Sequence, residues 1–464
     1  MDIKAYWRPK GDTGIGFHYY PNMFHYGKSD LDFWLPELEA MGVSWLVLLS
    51  EPNNPIPAFF VKGLIQAGIE PLIRVYTPTV QPLDQKVLRS LLEAYAKLGI
   101  HYVHVYNEPN LTEEWDWAEW SKPALVDRFM DALLPCLESM KAVGLFPVFT
   151  PLSPGGNYWD TVFLKTALDY IVLKGKQNLF DTMAVAIHNY PGNKPLDWGK
   201  GGPARWPDAR PYYCPEGSQD HVGFYLFEWY DAIIRARVGR SLPLLCYENG
   251  PIVGSYDHTK YPAVDEAAHA RVAVEMTRMV MDNVVPDYVF NNAFWLLRNS
   301  HGSRFENHAW YRESGHRLPA IQALKAMPKH PRLAQEPATP APTPGTNGHP
   351  LFHYVLCPVW EWGVSEWYWR LLANYVKIFK PVCGFSPDEA ALAQYVTVIG
   401  RPPGVPSAVE DSLRAKGCRV ERIAGADAAE TQTILDQMAR QRRRFLNFEV
   451  AETALVGDAE GDSL

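Results

Sequence analysis

The sequence predicts an α/β fold: a (β/α)8 TIM barrel followed by a small parallel α/β domain. Eight short apolar runs bounded by turn residues, most of them followed by an amphipathic stretch, fill the first two thirds of the chain. No GxGxxG follows the first run, which argues against a doubly wound open sheet. The segment 331–350, PRLAQEPATPAPTPGTNGHP, holds six prolines and almost no large apolar side chains, so it reads as an extended linker. The expected organisation is a barrel over 1–330, the linker 331–350, an α/β accessory domain over 351–448 and an acidic tail over 449–464.

The barrel strands are expected at Gly14–Tyr20, Ser44–Ser50, Glu70–Tyr76, His101–Asn107, Phe146–Thr150, Thr182–His188, Leu242–Glu248 and Tyr288–Leu297. Between them, Asp84 opens a helix as N-cap, and Leu88, Leu91, Leu92 and Tyr95 mark its apolar face. Val272, Met276, Met279 and Val280 mark another. After the linker, a strand at Phe352–Leu356 leads to a Trp-rich helix around 364–379. Ser386-Pro387-Asp388-Glu389 is a capping box with Pro at the first helical position, and Tyr395–Ile399 is the next strand. Ser407, with Glu410 three residues on, caps a helix that stops at Gly417. The strand Arg419–Ile423 and a last helix to about 444 follow, the basic run Arg440–Arg444 forming a solvated face. Four tryptophans (Trp360, Trp362, Trp367 and Trp369) exceed the needs of one short helix, and part of the cluster is expected to pack on the barrel.

Composition excludes several function classes. A net charge of −8 provides no basic field for nucleic acid or anionic membrane. The six cysteines form no CxxC pair, so a zinc ribbon and a thioredoxin site are excluded, and they read as small buried hydrophobes. No stretch is long and apolar enough for an ordinary transmembrane helix, and the N-terminus has no apolar core of a signal peptide. A soluble protein is expected, either cytoplasmic or exported with its signal absent from this chain. Aromatic residues reach 13%, which suits either a tryptophan-filled core or flat faces for sugar rings. No cofactor is expected, and no HxH or HExxH ends a strand to hold a metal.

Side chains at the C-terminal ends of barrel strands converge on one mouth. His18 ends the first strand, Arg74 the third, Asn107-Glu108 the fourth, His188-Asn189-Tyr190 the sixth and Glu248 the seventh, with Trp295 in the eighth. Two carboxylates in different surroundings divide acid and nucleophile roles, the requirement of glycosidic bond cleavage. Singly, each residue has a plainer reading. Glu108 before Pro109 fits a helix cap, Glu248 before Asn-Gly a turn, His188 and Tyr190 satisfied core polars, Trp295 a barrel plug, and Arg74 a structural partner. Their joint placement at strand ends favours a site.

Tyr106-Asn107-Glu108-Pro109 on strand four and Tyr247-Glu248-Asn249-Gly250 on strand seven resemble the retaining glycoside hydrolases of clan A, which includes families 5, 39 and 42. The resemblance spans about 12–328. It implies Glu108 as acid/base, Glu248 as nucleophile, and Asn107, His18, Arg74, His188, Tyr190 and Trp295 as substrate-binding residues. It also implies a β-linked oligo- or polysaccharide substrate. Arg74 departs from the pattern of members that carry their arginine on strand two. On this reading Arg74 and His188 keep Glu248 ionised while Glu108 stays protonated.

The stretch 397–435, with VERIAGAD at its centre, is similar to cell wall binding repeat 2, which implies contact with a cell-surface glycan through the C-terminal domain. Trp115 and Trp117, together with the loop 189–221 carrying Trp198, Trp206, Tyr212 and Tyr213, serve either to extend a sugar cleft or to pack locally. The alternative function is a non-catalytic carbohydrate-binding or attachment protein on a hydrolase fold, because fold alone does not establish activity.

Overall fold

The computed structural model describes residues 2–210, 213–332, 349, 351–360 and 367–448. The chain separates into two compact units, Met1–Gln335 and Glu336–Leu464.

The first unit is a nearly closed eight-stranded parallel barrel. Its strands are β1 (Ile15–His18), β2 (Trp45–Ser50), β3 (Glu70–Val75), β4 (Tyr102–Val105), β5 (Phe146–Phe149), β6 (Ala184–His188), β7 (Leu244–Glu248) and β8 (Asn292–Phe294). They pair in the order β7-β6-β5-β4-β3-β2-β1-β8. Strands covered on both faces need continuous apolar runs, and every residue of the WLVLLS run in β2 is buried. The expected strands all form, trimmed at their ends. The helix Gln85–Leu98 starts on Asp84, whose carboxylate accepts from the Lys86 and Val87 N–H groups, and buries Leu88, Leu91, Leu92 and Tyr95. In the helix Glu266–Met281 the inner face is His269, Ala273, Met276, Thr277 and Val280. Val272 and Met279, expected on that face, are only partly buried.

The barrel closes at the seam between β7 and β8, where the eighth run keeps only three strand residues. Backbone bonds join the two chains at both ends of the seam: Leu244 N–H donates to Tyr288 O at 2.7 Å and Asn249 N–H to Ala293 O at 2.9 Å. Between them the Asn291 side chain takes the place of a ladder pair. Its Oδ1 accepts from Cys246 N–H at 3.1 Å and its Nδ2 donates to Cys246 O at 2.7 Å. Asn249 Nδ2 donates to Asn292 Oδ1 at 2.9 Å, and Asn292 Nδ2 donates to Met276 O at 3.0 Å, tying the seam to the outer helix.

The second unit holds a four-stranded parallel sheet in the order β10-β9-β11-β12, with β9 at Leu351–Leu356, β10 at Val382–Gly384, β11 at Ala393–Ile399 and β12 at Arg419–Ile423. The strand β10 was not anticipated, since three residues are too few to show a period. The cap at Ser386 forms, its Oγ accepting from Glu389 N–H at 3.3 Å, but opens a single turn, Pro387–Ala390. Ser407 is the first residue of its helix, with Pro406 at the N-cap. The last helix ends at Arg440, so the basic run is no helix face. Arg443 Nε donates to Phe445 O at 3.1 Å, and Arg444 donates to Phe379 O at 2.8 Å with its guanidinium over the Phe352 and Phe379 rings. Trp360 donates to Tyr368 Oη, Trp367 packs on the unit's own core, and Trp369 lies edge-on to Phe385. Trp362 lies outside the described residues. All six cysteines are free, four of them buried.

Replacing Asn291 by leucine keeps the branched outline but leaves the Cys246 N–H and carbonyl unpaired in a buried seam. The expected cost is about 2–4 kcal/mol. Urea unfolding of the variant, with an unchanged m-value, measures it.

Candidate functional site

Local backbone devices set the site. Beyond β4 the chain turns out of the barrel through two non-glycine residues with positive φ, Tyr106 at 64° and Glu108 at 33°. Such conformations persist only where the surroundings enforce them. Here Tyr106 Oη donates to Gln81 O at 2.7 Å. Asn110 grips the next loop, donating to Ser153 O at 2.8 Å and accepting from Ser153 N–H at 2.9 Å. Trp115 Nε1 donates to Pro109 O at 2.8 Å. On β6 the register shifts between Ile187 and His188, which sets His188 opposite Glu248 of β7. A bulge of this kind re-aims a side chain. After Glu248, Gly250 has φ 101°, and a Cβ there would meet the Phe294 ring at 2.7 Å, so only glycine fits.

These devices bring two carboxylates to one imidazole. His188 Nδ1 lies 2.8 Å from Glu108 Oε1, and its Nε2 lies 3.9 Å from Glu248 Oε1. Glu248 accepts from Arg74 Nη1 at 2.8 Å on one oxygen and from Tyr190 Oη at 2.8 Å on the other. Burial and the Glu248 charge push the Tyr190 phenol far above its ordinary value, so it remains a donor. Burial alone favours a neutral His188, but the charges of Glu248 and Glu108 and the Glu108 hydrogen bond outweigh it and hold the imidazole above its ordinary value. Burial raises Glu108, yet the His188 charge and hydrogen bond, with Arg74, bring its carboxyl below the usual carboxylate value. This corrects the expected division of roles. His188 is hydrogen-bonded to Glu108 and not to Glu248, and the lowered Glu108 and raised His188 shift in the directions that favour the proton on the imidazole.

The remaining expected residues surround this centre. His18 is fully buried with its ring edge-on to Trp295, centroids 4.5 Å apart, and burial, then the Arg74, His188 and His104 charges, hold it neutral. Trp295 is itself buried and donates to His308 Nδ1 at 3.0 Å. Asn107 Nδ2 donates to Glu114 Oε1 at 3.1 Å. Glu114 escaped the sequence reading, because nothing in the TEEW run separates it from the exposed Glu113. Burial pushes the Glu114 carboxyl up to about 7, with the Asn107 hydrogen bond and Arg74 pulling down and the Glu108 and Glu248 charges adding to the rise.

Two of the neighbouring tryptophans serve the scaffold. Trp115 is buried on Pro109, and Trp198 is buried with its N–H on Asp220 Oδ1 at 2.7 Å and its ring near His258 and Tyr261. Trp117 and Tyr213, 76% and 67% exposed, are free to meet a ligand, and Tyr212 lies outside the described residues. Among the described residues no cluster of His, Cys, Asp and Glu is disposed to hold a metal ion, and no helix is long and apolar enough to cross a membrane.

No family model matches the chain. The plasma alpha-L-fucosidases of Homo sapiens and Pongo abelii are each 32% identical over 108 residues, 22% of this chain and 22% of theirs. The chain thus spans about a fifth of the length of the curated relatives it matches, as that 22% shows. Among solved structures it resembles a monomeric beta-xylosidase from Caulobacter crescentus (15% identity, 70% of each chain, TM-score 0.42). It also resembles a family 39 glycoside hydrolase from Bacteroides cellulosilyticus (13% identity, 68% of this chain and 64% of that one, TM-score 0.44). A third is the Bacteroides uniformis beta-glucuronidase (11% identity, 75% and 40%, TM-score 0.43).

The ion pair makes a pH prediction. His188, held above 6.5, contributes stability that is full below that value and is lost as pH rises through its folded pKa. Glu108, held below 4.5, contributes stability that is present above that value and is lost as pH falls through its folded pKa. The stability difference between wild type and Glu108→Gln is therefore largest between 4.5 and 6.5 and declines on both sides. In the variant the His188 pKa falls, read from its ring-proton NMR shift against pH.

Proposed function

We propose that this protein is a retaining glycoside hydrolase acting on a β-linked glycan or glycoside, with the barrel unit carrying the chemistry and residues 351–448 an accessory domain. The observation that carries the reading is the convergence of Glu108 from strand four, 2.8 Å from His188 Nδ1, and Glu248 from strand seven, 3.9 Å from His188 Nε2. Glu248 accepts one hydrogen bond on each oxygen, from Arg74 and from Tyr190, the setting a nucleophilic carboxylate needs. It attacks the anomeric carbon while the glycosidic oxygen takes a proton from Glu108. That proton is stored on the Glu108–His188 pair: as substrate displaces water, it passes from His188 Nδ1 to Glu108 and on to the leaving oxygen. Water then attacks the anomeric carbon, the bond from that carbon to Glu248 breaks and returns its carboxylate, and the proton of the water passes to Glu108 and restores the pair. A retaining mechanism needs the two carboxyls about 5–5.5 Å apart, against about 6.5–9.5 Å for inversion.

On this reading Asn107 binds the sugar 2-hydroxyl, Trp295 floors the subsite and Trp117 extends it. The local likeness to fucosidases favours a second substrate reading, an α-L-fucoside, over the same residues.

A panel of aryl glycosides, with NMR of the first-formed anomer, tests the proposal. Wild type is expected to cleave at least one β-glycoside with retention, and Glu248→Gln and Glu108→Gln to lose about 10²–10⁴ in kcat. Activity on the α-L-fucoside alone replaces the β assignment, and an inverted product removes the double displacement. A binder with no turnover, unaffected by either substitution, leaves the attachment-protein alternative.

A further inference from the structure

Two exposed tryptophans sit beside the end of β4, one braced to the loop after β3 and the other on the loop after β5. Trp117 lies three residues beyond Glu114, a reach of at most about 10 Å. Glu114 Oε1 accepts from Asn107 Nδ2 at 3.1 Å, and its carbonyl accepts from Val80 N–H at 2.7 Å. Trp159 follows Tyr158, whose N–H donates to Asn110 O at 3.0 Å and whose carbonyl accepts from Asn110 Nδ2 at 3.1 Å. Both tryptophans therefore stand on backbone tied to residues next to Glu108.

The insertion TEEWDWAEW spends its other two indoles on holding this arrangement. Trp115 is buried, with its N–H on Pro109 O at 2.8 Å and the Arg128 guanidinium 5.3 Å from its ring centroid, and Trp120 packs against the barrel core. Arg128 Nη2 also donates to Glu119 O at 2.8 Å and to Lys122 O at 3.0 Å, closing the turn that carries Trp117. Trp117 is left 76% exposed and Trp159 41%. A single exposed indole is ordinary on a protein surface. Two of them, on braced backbone beside the same strand end, make a platform.

We propose that the leaving group is itself a glycan chain of two or more rings, lying on Trp117 and Trp159, so that the bond cleaved is inside an oligo- or polysaccharide. The inference rests on the hydrolase reading, in which Glu108 protonates the leaving oxygen, and extends it to the length of the substrate. A proton donor must come within hydrogen-bond reach of the oxygen it serves. Glu248 attacks the anomeric carbon from the face opposite that oxygen, so the leaving group departs on the Glu108 side. Whatever it carries is brought over the end of β4 and the loops beside it. A sugar ring has a face of C–H bonds, and laying that face on an indole removes apolar surface of both from water. The ordering cost is small because the backbone beneath each indole is already fixed.

The test uses the full chain and one sugar and linkage, offered as the aryl glycoside and as oligosaccharides of increasing length. Wild type is compared with Trp117→Leu and Trp159→Leu, which keep apolar bulk and remove the flat face. Phe59→Leu, at an exposed aromatic on the outer helix Ala58–Gln66, is the control. In wild type, kcat/KM is expected to rise at least tenfold from the disaccharide to the longest chain, with products released from within it. Each tryptophan variant is expected to lose at least threefold of that rise, through KM more than kcat, and the control none of it. Should Trp159→Leu fail to fold, Trp117→Leu decides alone. Hydrolysis of the aryl glycoside with no gain on longer chains, or with equal losses on both in the tryptophan variants, overturns the inference and leaves the hydrolase reading standing. Absence of turnover on every glycoside removes the hydrolase reading, and the leaving-group assignment falls with it.

Discussion

Closure of the barrel across β7 and β8 is the constraint on which the site depends. Glu248 is the last residue of β7, so its position is only as definite as the seam beside it. Three strand residues in β8 are too few to stitch a seam by backbone alone. Asn291 and Asn292 make up the difference with side-chain amides, each able to donate and accept like a peptide group. Gly250 completes the arrangement by letting the chain leave β7 directly against the Phe294 ring.

Within that frame the chemistry is governed by charge compensation. Carboxylates near a barrel axis lose water on most sides, and only nearby cations and donors keep them ionised. Arg74 and Tyr190 satisfy Glu248, which leaves the imidazole of His188 free to turn its Nδ1 to Glu108. The register step, one residue on β6 against two on β7, sets His188 opposite Glu248. Among the described residues Glu114 forms no ion pair, and burial raises its carboxyl against the pull of the Asn107 hydrogen bond and Arg74. The same physics thus lowers the Glu108 carboxyl and raises that of Glu114.

The aromatic richness of the chain has a mostly structural explanation. Trp115 and Trp198 spend their N–H groups on loop acceptors and hold long connections in place, as buried indoles require. The same holds for the arginines after the last helix, whose guanidinium groups satisfy carbonyls and cover phenylalanine rings of their own unit.

What the sequence determined by itself was whatever depends on local pattern. Continuous apolar runs set the eight strands, Asp84 and its leucines set a helix and its buried face, and the polar residues at strand ends marked the mouth. These are readable because strand and helix periods are short and each residue carries its own share of the signal. The tertiary structure alone decided which of those polar residues meet. No spacing foretells that a register shift sets His188 opposite Glu248, that Glu114 and not Glu113 reaches Asn107, or that Asn291 stands in for a ladder pair. Nor does any local pattern separate a tryptophan that binds from one that packs. Such choices rest on distances between segments as far as 174 residues apart, as Arg74 and Glu248 are, and are fixed only when burial forces each polar group to find a partner.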